Sequence, residues 1–464
     1  MISDKDISFF KARSEAVLEI CAWLTPIVNR IHKVDFSKTF WTRVLTTYAL
    51  AAYNQKDYFE RSDFRAPLTI QPLNGWRPAT RKEIIKDRIV TALRSIGKQY
   101  SLQEIPDSIP KNENVALGIR AESFSEELDA CPLSFKWMPR ITAGDRSRRQ
   151  TLIAEAEKLP TAFKKNICAH VPKLYVEYFP YLLPAFRRAE ALPIKKIFVE
   201  HYGTLFDALF AAYLSETKGA EIYQLQTGGF VGETQMSIEP LKRAQYDHLL
   251  TYGWRIDTMD IPFYGIRLEE FREHYRASRG NESSSGLLIV LGAPAKSPAL
   301  ESHYSECINQ FKESLDRDKF ASIKFRPRAQ SRRLRSVKYP AGFELLSREE
   351  IDTGLVPIHQ LCASSRVVVQ LTMPSTNFLE CIFVDHPVTG LDNYILPTEI
   401  IKPYLEFFHE AGILHDTPQA LVSFLNDCNI VCWWREVLND SRYQEFKEVF
   451  ARSRLQYLKA EETL

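Results

Sequence analysis

Four short stretches of the chain combine residue types that bind anions or move protons. The first is VVVQLTMPSTNFLE, Val367 to Glu380. A β-branched apolar run ends before Pro374, and a helical pattern starts behind it. Ser375, Thr376 and Asn377 then stand at a helix N-terminus, where free N–H groups and the helix dipole favour an anion such as phosphate. Glu380, about one turn further on, is placed to accept hydrogen bonds from ribose hydroxyls. The competing reading is plain N-capping by Ser375 or Thr376, with Glu380 as an early helix acid. Spacing weighs the two evenly. The second stretch is IKFRPR, where Arg326 and Arg328 leave the end of a strand pattern two residues apart and share one face of the exit. Guanidinium forks suit phosphate oxygens. Arg332, Arg333 and Arg335 read instead as a solvated basic loop.

The third stretch is LQTGGFVGE, Leu225 to Glu233. Gly228, Gly229 and Gly232 do not form GxGxxG, so the dinucleotide fingerprint fails. Glycines here either let the backbone approach a ligand closely or simply close a strand exit. Gln226 and Glu233 flank the turn with polar tips. The fourth site lies upstream, where His201 and Asp207 mark a strand exit and a helix start. A carboxylate there could act as a general base or a nucleophile. The alternatives are a structural histidine and a first-turn acid that complements the helix dipole. Asp316-Arg317-Asp318 mimics a DxD metal motif, but it sits at a helix end among other charges and reads as surface. No metal site is expected. The adjacent tryptophans of CWWREVL, Cys432 to Leu438, read as packing on a terminal helix.

The elements that must position these residues follow from periodicity. Ser14 to His32 and the stretch after Asp35 place apolar residues at three- and four-residue steps, with Asp35 or Ser37 as N-cap of the second helix. Residues 77–105 read as a helix and a loop, and ENVALGI and CPLSFKWMP as strands or irregular segments. From residue 195 the rhythm changes. KKIFVEHYG is a strand, TLFDALFAAYLSETKG a helix ending at Gly219, AEIYQLQTGG a strand and YDHLLTYGWRI another. Strand, helix and strand with short loops predict a parallel α/β sheet. HYRASRGNESSSG is polar, rich in Ser and Gly, and reads as a linker. The alternation then restarts with LLIVLG, a long helix, FASIKFRPR and the RVVVQL strand. This divides the chain into a domain over 1–275, a linker over 276–286, and a second domain over 287–464 that ends in helices. Two such domains place a ligand in the cleft between them.

Composition sets the class. The 464 residues are 45% hydrophobic, enough for two cores. Sixty basic and 58 acidic residues give a net charge of +2, which excludes general nucleic-acid binding through a basic surface. The eight cysteines have irregular spacing without CxxC and lie mostly in apolar runs, so they read as reduced core thiols. The start MISDKDISFF does not read as a signal peptide, and no window reaches the roughly 18 apolar residues of a membrane span. A cytoplasmic protein, peripheral at most to the inner face of a membrane, is expected.

The pieces, in their order, resemble a family of bacterial surface-polysaccharide transferases acting in lipopolysaccharide or capsule synthesis, distant relatives of the Kdo and capsular-polysaccharide transferases. The resemblance rests on FWTRVLTTYALAAY, FDALFAAYLSETKGAEIYQLQTGGFVGE, YDHLLTYGW, IKFRPR, MPSTNFLE, HEAGILHDTPQAL and WWREVLNDSRYQEFKEVF, spread over most of the chain. It implies an α/β fold of the GT-B type: two Rossmann-like domains facing across a cleft, with extra N-terminal helices and closing C-terminal ones. It also implies a nucleotide-sugar glycosyltransferase of O-antigen or capsule synthesis. Arg326, Arg328, Ser375, Thr376, Asn377 and Glu380 would hold the donor, and Asp207 first or Glu233 second would be the catalytic carboxylate. Gln226, Thr227, Gly228 and Gly229 would wall the cleft. The donor implied is a CMP-activated 2-keto sugar, Kdo or a nonulosonic acid, which needs no metal; the acceptor is a lipid-linked or oligosaccharide glycan. One departure stands out. The family's central turn reads Gln-His-Gly-Gly, whereas this chain has Thr227 in the histidine's place, and His201 is the nearest residue to take over its role. The alternatives are a nucleotide-sugar epimerase or hydrolase on the same fold, and a non-catalytic scaffold subunit.

Overall fold

The structure is a computed structural model of the chain that describes residues 4–54, 113–117, 128, 130–133, 145–172, 174–200, 205–229, 231–235, 240–279, 285–291, 298–327, 342–352, 354–394 and 396–461. The helix expected over 77–105, His201 and Arg328 lie outside these residues, as do Arg332, Arg333 and Arg335. By packing, the chain forms two compact units. Ser3–Leu225 and Glu239–Leu249 make the N-terminal unit, and Gln226–Ile238 with Leu250–Leu464 the C-terminal one.

The N-terminal unit opens with α1 (Asp4–His32) and α2 (Lys38–Asn54), packed on each other. Of the two expected caps, Ser37 acts: its Oγ accepts from Phe40 N at 3.1 Å. The fully buried Trp41 donates through Nε1 to Asn29 Oδ1 at 2.6 Å and ties α2 to α1. Strands β1 (Asn114–Leu117) and β2 (Cys131–Leu133) precede α3 (Arg146–Glu157), α4 (Ala162–Ala169) and α5 (Phe179–Ala189). Then come β3 (Lys196–Val199), α6 (Leu205–Lys218), β4 (Glu221–Leu225), the single turn α7 (Pro240–Arg243) and the start of β5 (His248–Thr251). Helix α6 stops where expected, because Gly219 adopts φ +68°, a left-handed conformation that favours glycine. The first five strands of a six-stranded sheet run β2-β1-β3-β4-β5, with parallel pairing from β2 through β4. Strand β1 has β2 on one side and β3 on the other, so the crossovers diverge at the carboxyl ends of β1 and β3, a topological switch point.

The C-terminal unit contains β6 (Asp260–Pro262), α8 (Ile266–Ser278), β7 (Gly286–Leu291), α9 (Pro298–Ser314) and β8 (Ile323–Pro327). It continues with α10 (Ile358–Ser364), β9 (Ser365–Gln370), α11 (Thr376–Phe383), β10 (Val388–Leu391), α12 (Lys402–Glu410) and β11 (Leu414–His415). Four helices close it: α13 (Pro418–Asp427), α14 (Ile430–Asn439), α15 (Ser441–Phe450) and α16 (Arg454–Glu461). All neighbouring strands in the sheet β11-β10-β9-β7-β8 run parallel. Leu287, Ile289, Leu291, Val367 and Val369 form its core with Tyr304 and Phe311 of α9. Burial on both faces explains why β7 and β9 read as unbroken apolar runs. Helix α8 extends into the Ser/Gly-rich stretch as far as Ser278, because Phe271 and Tyr275 give it a buried face. The tryptophans of α14 pack as expected: Trp433 Nε1 donates to Ala411 O at 2.6 Å and Trp434 Nε1 to Asp385 O at 2.9 Å. Among the described cysteines none is paired; Cys21, Cys168, Cys307, Cys362 and Cys381 are buried, and Cys432 is exposed. Two parallel α/β sheets, with helices ahead of the first and behind the second, are the architecture expected from the sequence, that of the GT-B type.

Candidate active site

In the C-terminal sheet β7 is first in the chain, β8 lies on one side of it and β9 on the other. The switch point is therefore between β7 and β9, and ligands of doubly wound sheets bind at the carboxyl ends there. Strand β9 ends at Gln370, and α11 begins after five intervening residues. Ser375 is the N-cap by backbone conformation, yet its side chain makes no cap bond. Its hydroxyl instead donates to Gln370 Oε1 at 3.1 Å. Thr376 is also diverted, since its Oγ1 accepts from Gly229 N at 3.2 Å. The capping alternative thus fails for both hydroxyls; Phe378 N donates to Ser375 O at 3.1 Å, and among the described residues no hydrogen bond engages the first-turn N–H groups of Thr376 and Asn377.

A buried amide relay fixes this start. Gln370, with no exposed surface, donates through Nε2 to Asn377 Oδ1 at 2.8 Å. Asn377 Nδ2 donates to Glu380 Oε2 at 2.9 Å and approaches Cys362 Sγ at 3.6 Å. Asn377 is therefore a positioning residue rather than a free donor to a ligand. Glu380 is half-buried, and desolvation pushes its carboxyl up to about 7 against the bond from Asn377 and the charges of Arg267 and Arg326.

The glycine turn packs on the same helix start, within the C-terminal unit. A Cβ on Gly229 would lie 2.8 Å from Ser375 O and 3.1 Å from Thr376 Cα, so only glycine brings the turn this close. Gln226 faces inward rather than toward a ligand. Its Oε1 accepts from Tyr252 N at 2.9 Å and Trp254 Nε1 at 2.8 Å, and its Nε2 donates to the carbonyls of Gly228 and Val231. Gly232, at φ +86°, lies against the Trp254 ring. Thr227, at the place of the expected histidine, is half-buried. Beyond the turn, Glu233 is fully buried and accepts from Tyr394 Oη at 2.6 Å. Its other oxygen, Oε1, has no hydrogen-bond partner. Burial pushes this carboxyl up to about 8, only partly offset by the Tyr394 bond. The turn is pinned from the far side by Thr398, whose Oγ1 donates to Gly232 O at 2.6 Å and whose N donates to Glu233 O at 3.0 Å.

The remaining expected residues are distributed otherwise. Arg326 Nη1 pairs with the buried Asp352 at 3.0 Å and donates to Val356 O at 2.8 Å, so much of its fork is engaged within the protein. Asp207 is buried in the first turn of α6, in the N-terminal unit, behind the switch point of that sheet. In DRD, Asp316 caps a short 3-10 turn by accepting from Asp318 N, and Asp318 is exposed. Sequence reasoning did not single out Tyr394, Gln370, Thr398 or Asp352. The signal for Gln370 was present: a lone amide closes the apolar run Val367–Val369 of β9. It likewise passed over Asp392, His409 and Asp416, whose ligand-type atoms lie within 4.8 Å of one another. There the two carboxylates address opposite nitrogens of one imidazole, Nε2 at 2.8 Å and Nδ1 at 3.9 Å.

No described helix is long and apolar enough to cross a membrane. Among curated proteins nothing matches the chain. Of solved structures, the H548A variant of the wall teichoic acid polymerase TagF is similar at TM-score 0.34 and 11% identity, over 60% of this chain and 75% of that one. CalG4, the calicheamicin glycosyltransferase, is similar at TM-score 0.32 and 10% identity, over 74% and 88%. Likenesses this distant carry no argument about mechanism. Residues 65–460 match the LIC12162 family of transferases, and over that span the chain belongs to this family.

Proposed function

We propose that this transferase moves a glycosyl group from a nucleotide-activated sugar to a glycan acceptor in bacterial surface-polysaccharide synthesis. The observation that carries the reading is the uncapped start of α11 at the switch point of the C-terminal sheet. Ser375 and Thr376 direct their hydroxyls to Gln370 and to the Gly229 backbone, so the N–H groups of Thr376 and Asn377 remain for phosphate oxygens. Glu380, one turn on, accepts the ribose hydroxyls. Arg326 adds charge near the site while its fork stays paired with Asp352, and it has a lesser share in donor binding than the helix start.

The donor we favour is CMP-linked, with Kdo or a nonulosonic acid as the sugar. A single phosphate matches one helix N-terminus, and its departure calls for no metal to neutralise a diphosphate. The acceptor is a lipid-linked or oligosaccharide glycan, met at the cytoplasmic face of a membrane. In an inverting reaction a carboxylate takes the acceptor hydroxyl proton while the oxygen attacks the anomeric carbon and CMP leaves with the bonding pair. In a retaining one the carboxylate itself attacks first. Asp207 and Glu233 are the candidates. The raised carboxyl of Glu233 suits proton exchange near neutrality, although its burial means that it reaches a substrate through Tyr394 or after the turn opens.

Calorimetry against CMP, UDP and GDP tests the donor, with CMP expected to bind most tightly. Turnover of the Asp207→Asn and Glu233→Gln variants tests the carboxylates. The essential one lowers turnover at least about a hundredfold, and near-normal turnover removes a residue from the mechanism. Absence of binding to all three nucleotides contradicts the reading and favours a scaffold subunit. Donor consumption that needs no acceptor favours a hydrolase or epimerase.

A further inference from the structure

A cavity of about 1120 Å³ lies wholly within the C-terminal unit, at the opposite end of its strands from the start of α11. Its wall includes Ser285 just ahead of β7, Arg366 at the start of β9, and His386 and Pro387 just ahead of β10. These are amino ends of strands, whereas α11 starts from a carboxyl end. The cavity is markedly basic. Arg272 and Arg276 come from α8 and Arg279 from its C-cap, Arg366 from β9, Arg435 from α14 and Lys447 from α15. Asp385 is the one carboxylate in the lining, and it is paired with Lys447 at 2.6 Å. Arg272 pairs with Glu269. Arg276, Arg279, Arg366 and Arg435 form no ion pair among the described residues. Four such guanidinium groups around one concave wall repel each other, and the low-dielectric wall focuses their field on the space between them.

His386, in the same wall, is a second observation. His386 is only 3% exposed, yet its Nε2 has no hydrogen-bond partner. Its Nδ1 is 2.9 Å from the Tyr275 hydroxyl. Burial and the nearby Arg279 charge hold the ring neutral. In the tautomer that accepts the Tyr275 hydroxyl proton at Nδ1, the orphan Nε2 is an N–H donor. A buried donor without an acceptor is costly; this one has no accessible surface, so an anion's oxygen would satisfy it only with a shift of the wall on binding. Trp434, anchored by its bond to Asp385 O, and Phe383 supply an apolar side to the same wall.

We infer that this cavity binds a ligand carrying a phosphate or pyrophosphate group, at a site distinct from the donor position at α11. The same chemistry arises on a soluble phosphorylated compound and on a lipid headgroup, and the experiment separates the two. Binding of inorganic pyrophosphate is measured by calorimetry. Binding to phosphatidylcholine vesicles containing phosphatidic acid is measured by sedimentation. Both use the full chain and a variant with Arg276→Gln, Arg366→Gln and Arg435→Gln. Loss of charge-assisted bonds should weaken pyrophosphate binding at least about tenfold in this variant. Ser375→Asp, which blocks the donor position, should keep the pyrophosphate binding that the triple variant loses. If vesicles bind and pyrophosphate does not, with vesicle binding lost in the triple variant, the source is a lipid headgroup and the site stands. Equal binding by wild type and triple variant overturns the inference. So does loss of pyrophosphate binding in Ser375→Asp alone, or a wild type that binds neither probe. A melting temperature near that of wild type shows that the triple variant is folded. If it is not folded, the single substitution Arg435→Gln at an exposed position replaces it, judged by the same outcomes.

Discussion

Glu233 has a carboxyl oxygen with no partner in a site closed to water, and this gives its chemistry a stability signature. Its folded value of about 8 lies above the ordinary glutamate value of about 4.3. The folded state therefore keeps a proton that the unfolded state has lost. The contribution of this group is fully present below the ordinary value and falls as pH rises through the window up to about 8. Each pH unit inside it removes about 1.4 kcal/mol. Glu233→Gln should flatten the fall in denaturant stability between acid pH and pH 8. An unchanged slope in the variant would show that Glu233 is not the group that titrates. Gly229 allows a second test at this scale. With Ser375 O only 2.8 Å from its missing Cβ, Gly229→Ala should lift the turn off α11 and cost about 1–3 kcal/mol, read as a lower melting temperature. None of this was legible in LQTGGFVGE. Three glycines announce a tight backbone, but the partner of Gly229 lies 147 residues away, and no local pattern encodes that contact.

At the scale of elements, periodicity carried the reading well where an element is buried on a single principle. Strands β3, β4, β7, β8 and β9 all lie inside stretches recognised by apolar, β-branched runs, and α6 ends at the glycine that the pattern marks. It carried less where one element serves two neighbourhoods. The Ser/Gly-rich stretch after His274 hides the last turn of α8, since composition averages over residues while helix formation depends on Phe271 and Tyr275. For α11 the sequence placed the helix start but could not choose between capping and anion binding. That choice depends on Gln370 and Gly229, which draw the two hydroxyls away. Thr376→Val removes the acceptor for Gly229 N and leaves a buried N–H without a partner. The expected cost is about 1–3 kcal/mol, measured by urea denaturation, together with weaker nucleotide binding. A variant as stable as wild type would show that the turn and the helix are held together by packing alone.

For the whole molecule, two parallel sheets each have a switch point, with a buried carboxylate, Asp207, behind the first and an uncapped helix start beside the second. Family membership makes the protein a transferase, and the α11 start is what the glycosyl-transfer reading stands on. The substitution that isolates it is Ser375→Asp. An aspartate at this N-cap would cap the first turn, raising stability by about 0.5–2 kcal/mol, while its charge occupies the place of a phosphate. The account predicts a melting temperature at or above that of wild type with CMP binding lost in calorimetry. CMP binding by Ser375→Asp as tight as by wild type would contradict it.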